Sequence, residues 1–136
     1  MPRPHFNSAS ATGPNNDGSL DIDFKFSGLG DNVTITVTAS ADATAVYACQ
    51  NNGGNFPSDP KKTEETGTVM ASGDFTSKKN GSFQGSLTLE PPPSDLTCPG
   101  GQKRVLVSVK YTNVTLTGGG DTLQIPGTFT KTFFNI

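Results

Sequence analysis

The sequence predicts an all-β domain, and three observations carry that reading. The first is composition: threonine leads with 18 residues, glycine follows with 16, and glutamate occurs only at positions 64, 65 and 90. Thr, Val and Phe suit a pleated, half-buried surface, while Gly, Pro and Asn punctuate turns. The second is periodicity. Short runs alternate apolar and polar residues, and no window sustains a helical period. The third is the placement of the only two cysteines. Cys49 and Cys98 each stand where a β-like run meets a long loop rich in Pro, Gly and Asn.

The elements follow in order. Phe6 to Thr12 gives a weak strand signal, and residues 1–12 are expected to form a mobile amino-terminal segment. From Leu20 to Phe26 the alternation is strict, with Leu20, Ile22, Phe24 and Phe26 facing the core and Asp21, Asp23 and Lys25 facing water. Val33 to Ala39 repeats the pattern with Val33, Ile35 and Val37 inward and Thr outward. A tight turn at Ser40-Ala41-Asp42 is expected to separate it from a strand over Ala43 to Cys49. Thr66 to Thr76 and Ser82 to Leu89 flank Asn80-Gly81, a pair suited to a type I′ hairpin turn. Val105 to Tyr111, with Val107 and Val109 inward, continues through Val114 to Leu116 as one long strand, bulged near Asn113. Gly118 to Asp121 turns into Leu123 to Ile125, Pro126-Gly127 interrupts, and Thr128 to Phe134 closes the chain.

About eight short strands in 136 residues make one domain over 1–136. Apolar faces must meet, so the expected architecture is a two-sheet antiparallel β-sandwich, immunoglobulin-like or jelly-roll-like, with one disulfide. If the strands run up and down, the loops at 28–32, 50–62 and 90–102 share one end. The turns at 13–18, 80–81 and 118–121 then share the other.

A Cys49–Cys98 bond would close a loop of 49 residues (98 minus 49). Such a closure removes about 4 kcal/mol of unfolded-state freedom in the chain-entropy model. A disulfide implies an oxidising compartment and a secreted, extracellular protein. Met1 to His5 carries no apolar leader region, which fits a leader replaced by an initiator Met. No run approaches the ~18 apolar residues of a membrane helix. The net charge is −2, and Lys61-Lys62, Lys78-Lys79 and Lys103-Arg104 read as solvated loop and strand ends. No nucleic-acid partner is expected without a basic stripe.

Residues able to do chemistry are few. His5, the only histidine, lies at the amino terminus between Pro4 and Phe6, a poor place to hold a catalytic base. Gly81-Ser82-Phe83-Gln84-Gly85 has the wrong spacing for a nucleophile elbow and follows a hairpin turn. Glu64 and Glu65 are adjacent and point oppositely in a strand, and Asp21 and Asp23 share a solvated face. Asn15-Asn16-Asp17-Gly18 is the nearest approach to a calcium loop but reads as a Gly-terminated turn. No catalytic residue, metal site or cofactor is expected. The remaining candidates for a ligand are Asn51, Asn52, Asn55, Phe56, Lys61 and Lys62, which combine amides, cations and one aromatic as sugar sites do. Asn-x-Ser/Thr triplets occur at Asn32, Asn80 and Asn113.

Asp42-Ala43-Thr44-Ala45-Val46-Tyr47-Ala48-Cys49 resembles the stretch around the second cysteine of immunoglobulin variable domains, and the likeness ends there. No cysteine precedes Cys49 and the chain has no Trp. A wider set runs from Gly28-Leu29-Gly30 through Ala39 to Cys49, then Asn52-Gly53-Gly54-Asn55, Cys98-Pro99-x-Gly101-Gln102, Tyr111-x-Asn113-Val114 and Ile125-Pro126-Gly127-Thr128-Phe129. That order resembles small secreted β-rich proteins of unassigned function from actinobacteria and similar soil bacteria. The resemblance implies secretion and a single bridge, and no activity.

The expected function is that of a secreted, non-enzymatic structural, adhesive or protein-interaction module of an extracellular layer or fibre. Apolar terminal segments, Leu123 to Ile125, Phe129 to Phe134 and Phe6 to Thr12, are expected to pair with another copy or an extracellular partner. The alternative is a carbohydrate-binding module using the loops 50–62 and 90–102, with glycan as partner.

Overall fold

The computed structural model describes residues 3–57 and 61–136, and within them every regular element is a strand. The strands are β1 (His5–Thr12), β2 (Leu20–Ser27), β3 (Thr34–Asn51), β4 (Lys62–Thr76), β5 (Phe83–Leu89), β6 (Gln102–Gly118), β7 (Asp121–Ile125) and β8 (Phe129–Thr132). They form two antiparallel sheets, as the alternation predicted. The smaller sheet has the order β1-β2-β5, and the larger has β4-β3-β6-β7 with β8 also on β6. Within the amino-terminal segment 1–12, His5–Thr12 forms β1 and pairs with β2 from His5↔Ser27 to Thr12↔Asp21, while residues 1 and 2 lie outside the described residues.

The core lies between the sheets. The row on β2, Leu20, Ile22, Phe24 and Phe26, is buried as predicted. It shares one core with a row of smaller side chains on β3: Val37, Ala39, Ala41, Ala43 and Ala45, all buried. A row of large residues on β2 and a row of small ones on β3 fill the shared core without overpacking. Phe6, Phe24, Phe26, Phe75 and Phe83 join in edge-on and stacked contacts, with centroids 4.8 Å apart for Phe6–Phe26 and 5.4 Å for Phe75–Phe83. Gly85 on β5 makes room for them: a Cβ there would lie 2.5 Å from Phe75 Cε1. Val109 is buried in the same cluster, and Ile35 packs against it half-buried. Val107 is buried but lies outside that cluster.

Four expectations are corrected. The turn at Ser40-Ala41-Asp42 does not exist, because β3 runs unbroken for 18 residues. Ala39, Ala41 and Ala43 keep a period of two, and small apolar side chains there bury inward like any core residue. Removing one reversal also exchanges two loops between the ends. The 28–33 loop lies with the 77–82 turn, through Leu29 N–H donating to the Gly81 carbonyl at 3.1 Å and Ser77 Oγ donating to the Gly30 carbonyl at 2.6 Å. The 13–19 turn lies instead at the disulfide end, where Gly18 sits beside Leu106 and Pro91.

The third correction concerns Asn80-Gly81. Gly81 has φ of 80° while Asn80 is absent from the positive-φ residues, so the turn is not type I′. Gly81 N–H bonds the Lys78 carbonyl at 2.8 Å, and the turn carries the chain from one sheet to the other. β4 therefore pairs with β3, and β5 with β2. The fourth is Val33, which is 37% exposed. It precedes β3, after the left-handed Asn32, and so lies outside the alternating register. The bulge near Asn113 is present: Ser40 faces Thr115 while Asp42 faces Thr112, and Asn113 has φ of 53°.

Tyr111 closes the core at the disulfide end. It is fully buried, and its hydroxyl donates to the Gly18 carbonyl at 2.6 Å. Burial, with smaller contributions from Glu90, Tyr47 and Asp17, pushes its phenol far above the ordinary tyrosine value. Tyr111→Phe is expected to lower stability by about 1–3 kcal/mol, since it leaves a buried carbonyl without its donor. The raised folded value means that the contribution is intact below the unfolded value of ~10 and is lost as the pH rises beyond it. Denaturant midpoints should fall on alkaline titration, and fall less in the Phe variant. Equal slopes in the two proteins would show that Tyr111 does not control the transition.

Candidate functional site

At the disulfide end the two sheets differ in length. β2 and β5 begin and end at Leu20 and Leu89, whereas β3 and β6 continue to the pair Asn51↔Gln102. The extra length leaves an uncovered inner face, and the segment 90–98 lies over it. Pro92 and Ser94 are buried there. Tyr47 Oη donates to the Pro92 carbonyl at 2.6 Å, and Arg104 Nη1 donates to the Ser94 carbonyl at 2.6 Å. Burial raises the Tyr47 phenol, with Arg104 opposing that shift. The Cys49–Cys98 bond, with Cα atoms 5.5 Å apart, fixes the far end of this strap to the end of β3.

The structure brings the six ligand candidates to this end but uses several of them for construction. Asn51 Oδ1 accepts from Gly53 N–H at 3.2 Å and Asn55 N–H at 3.1 Å, and so shapes the turn 51–55. Phe56 packs edge-on against Phe134 with centroids 5.2 Å apart. Lys61 Nζ donates to the Thr97 carbonyl at 2.9 Å. Asn52 and Asn55 are exposed, and Lys62 opens β4 on the exposed side. Part of the expected loop, 58–60, lies outside the described residues.

Other polar groups are committed in the same way. Asp17 Oδ1 accepts from the Ser19 hydroxyl at 2.6 Å and the Ser19 N–H at 2.9 Å, which holds its carboxyl below the ordinary value. Asn16 Oδ1 accepts from Lys131 Nζ at 2.8 Å. The Asn15–Gly18 stretch is thus a turn closed by protein donors, ending on left-handed Gly18. The His5 ring nitrogen lies 2.6 Å from the Arg3 carbonyl. Asp21 and Asp23 share the outward face of β2, with Asp21 held by Thr88 Oγ1 at 2.9 Å. A shallow depression crosses that face between Ser8, Ser10, Asp23, Lys25, Gln84 and Ser86.

The sheet edges differ more sharply than the loops. On one side β7 and β8 together line β6, but Pro126-Gly127 breaks that edge between Ile125 and Phe129. β1 is bulged between Phe6 and Ser8, and Phe6 N–H bonds Asp121 Oδ2 at 2.9 Å. β5 has only seven residues. β4 has 15 residues, no proline and an unshifted register along β3 from Thr34↔Thr76 to Ala48↔Lys62. Its middle, Thr66 to Gly73, carries no charge, and Met70 on its outer face is 66% exposed.

Outer-face side chains lock β4 to β3: Thr34–Thr76 at 2.7 Å, Thr36–Asp74 at 2.7 Å and Thr38–Ser72 at 2.8 Å. The terminal segments expected to pair in trans, β1, β7 and β8, each have a partner strand within the chain. Their apolar residues find internal neighbours: Phe6 and Ile125 are buried in the core, and Leu123, Phe129 and Phe133 pack against it. Sequence reasoning missed β4 because an edge is a property of strand order. The available signal was the proline-free, charge-poor run itself.

No protein-family model, curated protein or solved structure matches the chain. No helix among the described residues is long and apolar enough to cross a membrane.

The strap at the disulfide end makes a separate expectation. Reduction of Cys49–Cys98, or its replacement by alanines, should lower stability by about 2–5 kcal/mol. Amide exchange should accelerate first in 90–101 and 51–57, before the ladders of β2 and β3. Uniform acceleration through both sheets would show that the bridge holds the whole sandwich rather than its strap.

Proposed function

We propose that this is a secreted, non-enzymatic β-sandwich that acts through its surface, as a structural or adhesive component of an extracellular layer or fibre, or as a small protein-interaction module. The observation that carries the reading is the β4 edge. Sheet edges in soluble proteins are commonly blunted by proline, bulges, charge or short length. The other edges described above carry such devices, and β4 carries none along Thr66 to Gly73. An edge left in that state is suited to accept a strand from a partner, where backbone hydrogen bonds supply affinity. The disulfide supports the extracellular setting.

The sugar-binding alternative has less support. Asn51, Phe56 and Lys61 are already engaged within the protein, so a sugar at the strap would compete with those contacts.

A soluble peptide of alternating Thr and Val, flanked by Lys, serves as a strand probe. Hydrogen–deuterium exchange on the intact protein should then show new protection at alternate amides of β4 and nowhere else. With the protein dilute enough to be monomeric, absence of protection at millimolar peptide would contradict the reading. Glycan binding that Phe56→Ala abolishes would replace it with the carbohydrate one.

A further inference from the structure

We propose that the strand accepted by β4 is the β4 of a second copy of this chain, paired antiparallel about a two-fold axis at Thr68. This rests on the reading of β4 as an open edge. Closed two-fold pairing is the commonest way for one chain to satisfy its own surface.

Charge along β4 selects both the partner and the register. The strand carries Lys62, Glu64 and Glu65 near one end and Asp74 near the other. Antiparallel self-pairing lays the first end of one copy against the second end of the other. Centred on Val69, the pairing sets Glu64 against Asp74 twice, which repels. Centred on Met70, it leaves Lys62 beyond the last pair. Centred on Thr68, it sets Lys62 against Asp74 at both ends, Glu64 against Ser72, and Thr66 against Met70. Lys62 and Asp74 are both exposed on the outer face, so the pair forms without moving the core.

The inner face agrees with this register. Val69, Ala71 and Phe75 pack against the core but stay half-buried at this edge. With Thr68 at the axis, Gly67 of each copy faces Val69 of the other, and the two Val69 side chains meet diagonally. Gly67 leaves that space open, since nothing stands within 4 Å of where its Cβ would be. Thirteen residues from each copy, Lys62 to Asp74, then pair along the edge. They gain about one backbone hydrogen bond per residue pair, and two five-stranded sheets become one continuous sheet.

Sedimentation equilibrium of the intact, oxidised chain over micromolar to millimolar concentration tests this, alongside the strand-probe exchange experiment. The wild type should form a dimer. Thr68→Lys, which sets two cations together at the axis, should abolish it with the circular dichroism spectrum unchanged. Lys62→Asp should weaken dimerisation roughly tenfold, since it sets carboxylates together at both ends. Adding Asp74→Lys to that variant should restore the affinity to within about threefold. A dimer indifferent to Lys62→Asp would overturn the register, and with it the proposal. A monomer at every concentration whose β4 still protects against exchange with the probe would overturn self-pairing while leaving the open edge in place. A monomer without such protection would overturn both.

Discussion

The fold depends on one core, in which the large apolar row of β2 is buried together with the small one of β3. Leu20, Ile22, Phe24 and Phe26 need a facing surface that gives them room, and Val37, Ala39, Ala41, Ala43 and Ala45 provide it. A bulkier alternation would crowd the phenylalanines, and a polar residue at position 41 would lie buried without a partner. Because β3 passes this region unbroken, it reaches both ends of the molecule and takes β4 along one side and β6 along the other. The large sheet outgrows the small one, and the strap 90–98 with its disulfide follows from that mismatch.

Much of the fold was legible in the sequence wherever alternation was strict and the inward residues were large. β2 is the clearest case, and the Asn113 bulge was marked by a turn-forming residue inside an apolar run. The disulfide was legible from the placement of two cysteines at loop mouths. The alanines of β3 misled because Ala41-Asp42 resembles a turn when judged by local propensity alone. Their burial is decided by the phenylalanines of β2, which lie elsewhere in the chain. The same holds for Asn80-Gly81: local chemistry marks a reversal but does not say whether the next strand joins the same sheet.

The candidate sites show the same division. Asn51, Phe56 and Lys61 have the residue types of a sugar site, yet the structure gives each an internal partner. Their polarity serves a loop that must satisfy its own backbone near the strap. The β4 edge contains no residue that draws notice by type. Its character comes from strand order, from an unshifted register and from the absence of any interrupting residue. An edge of this kind presents backbone groups, which a reading of side-chain motifs does not register.

The most direct measurement of this account is the pattern of short interstrand Hα–Hα distances in solution, read by nuclear Overhauser spectroscopy around residues 39–43. An unbroken β3 with β4 on its flank places Ala39 opposite Ala71, Ala41 opposite Val69 and Ala43 opposite Gly67. Cross-peaks are expected within this ladder, at the alternate pairs that lie closest, and no ladder of them between the backbones of β4 and β5. Contacts closing a turn across Ser40 to Ala43, or a ladder joining β4 to β5, would contradict it, because either would remove the open β4 edge.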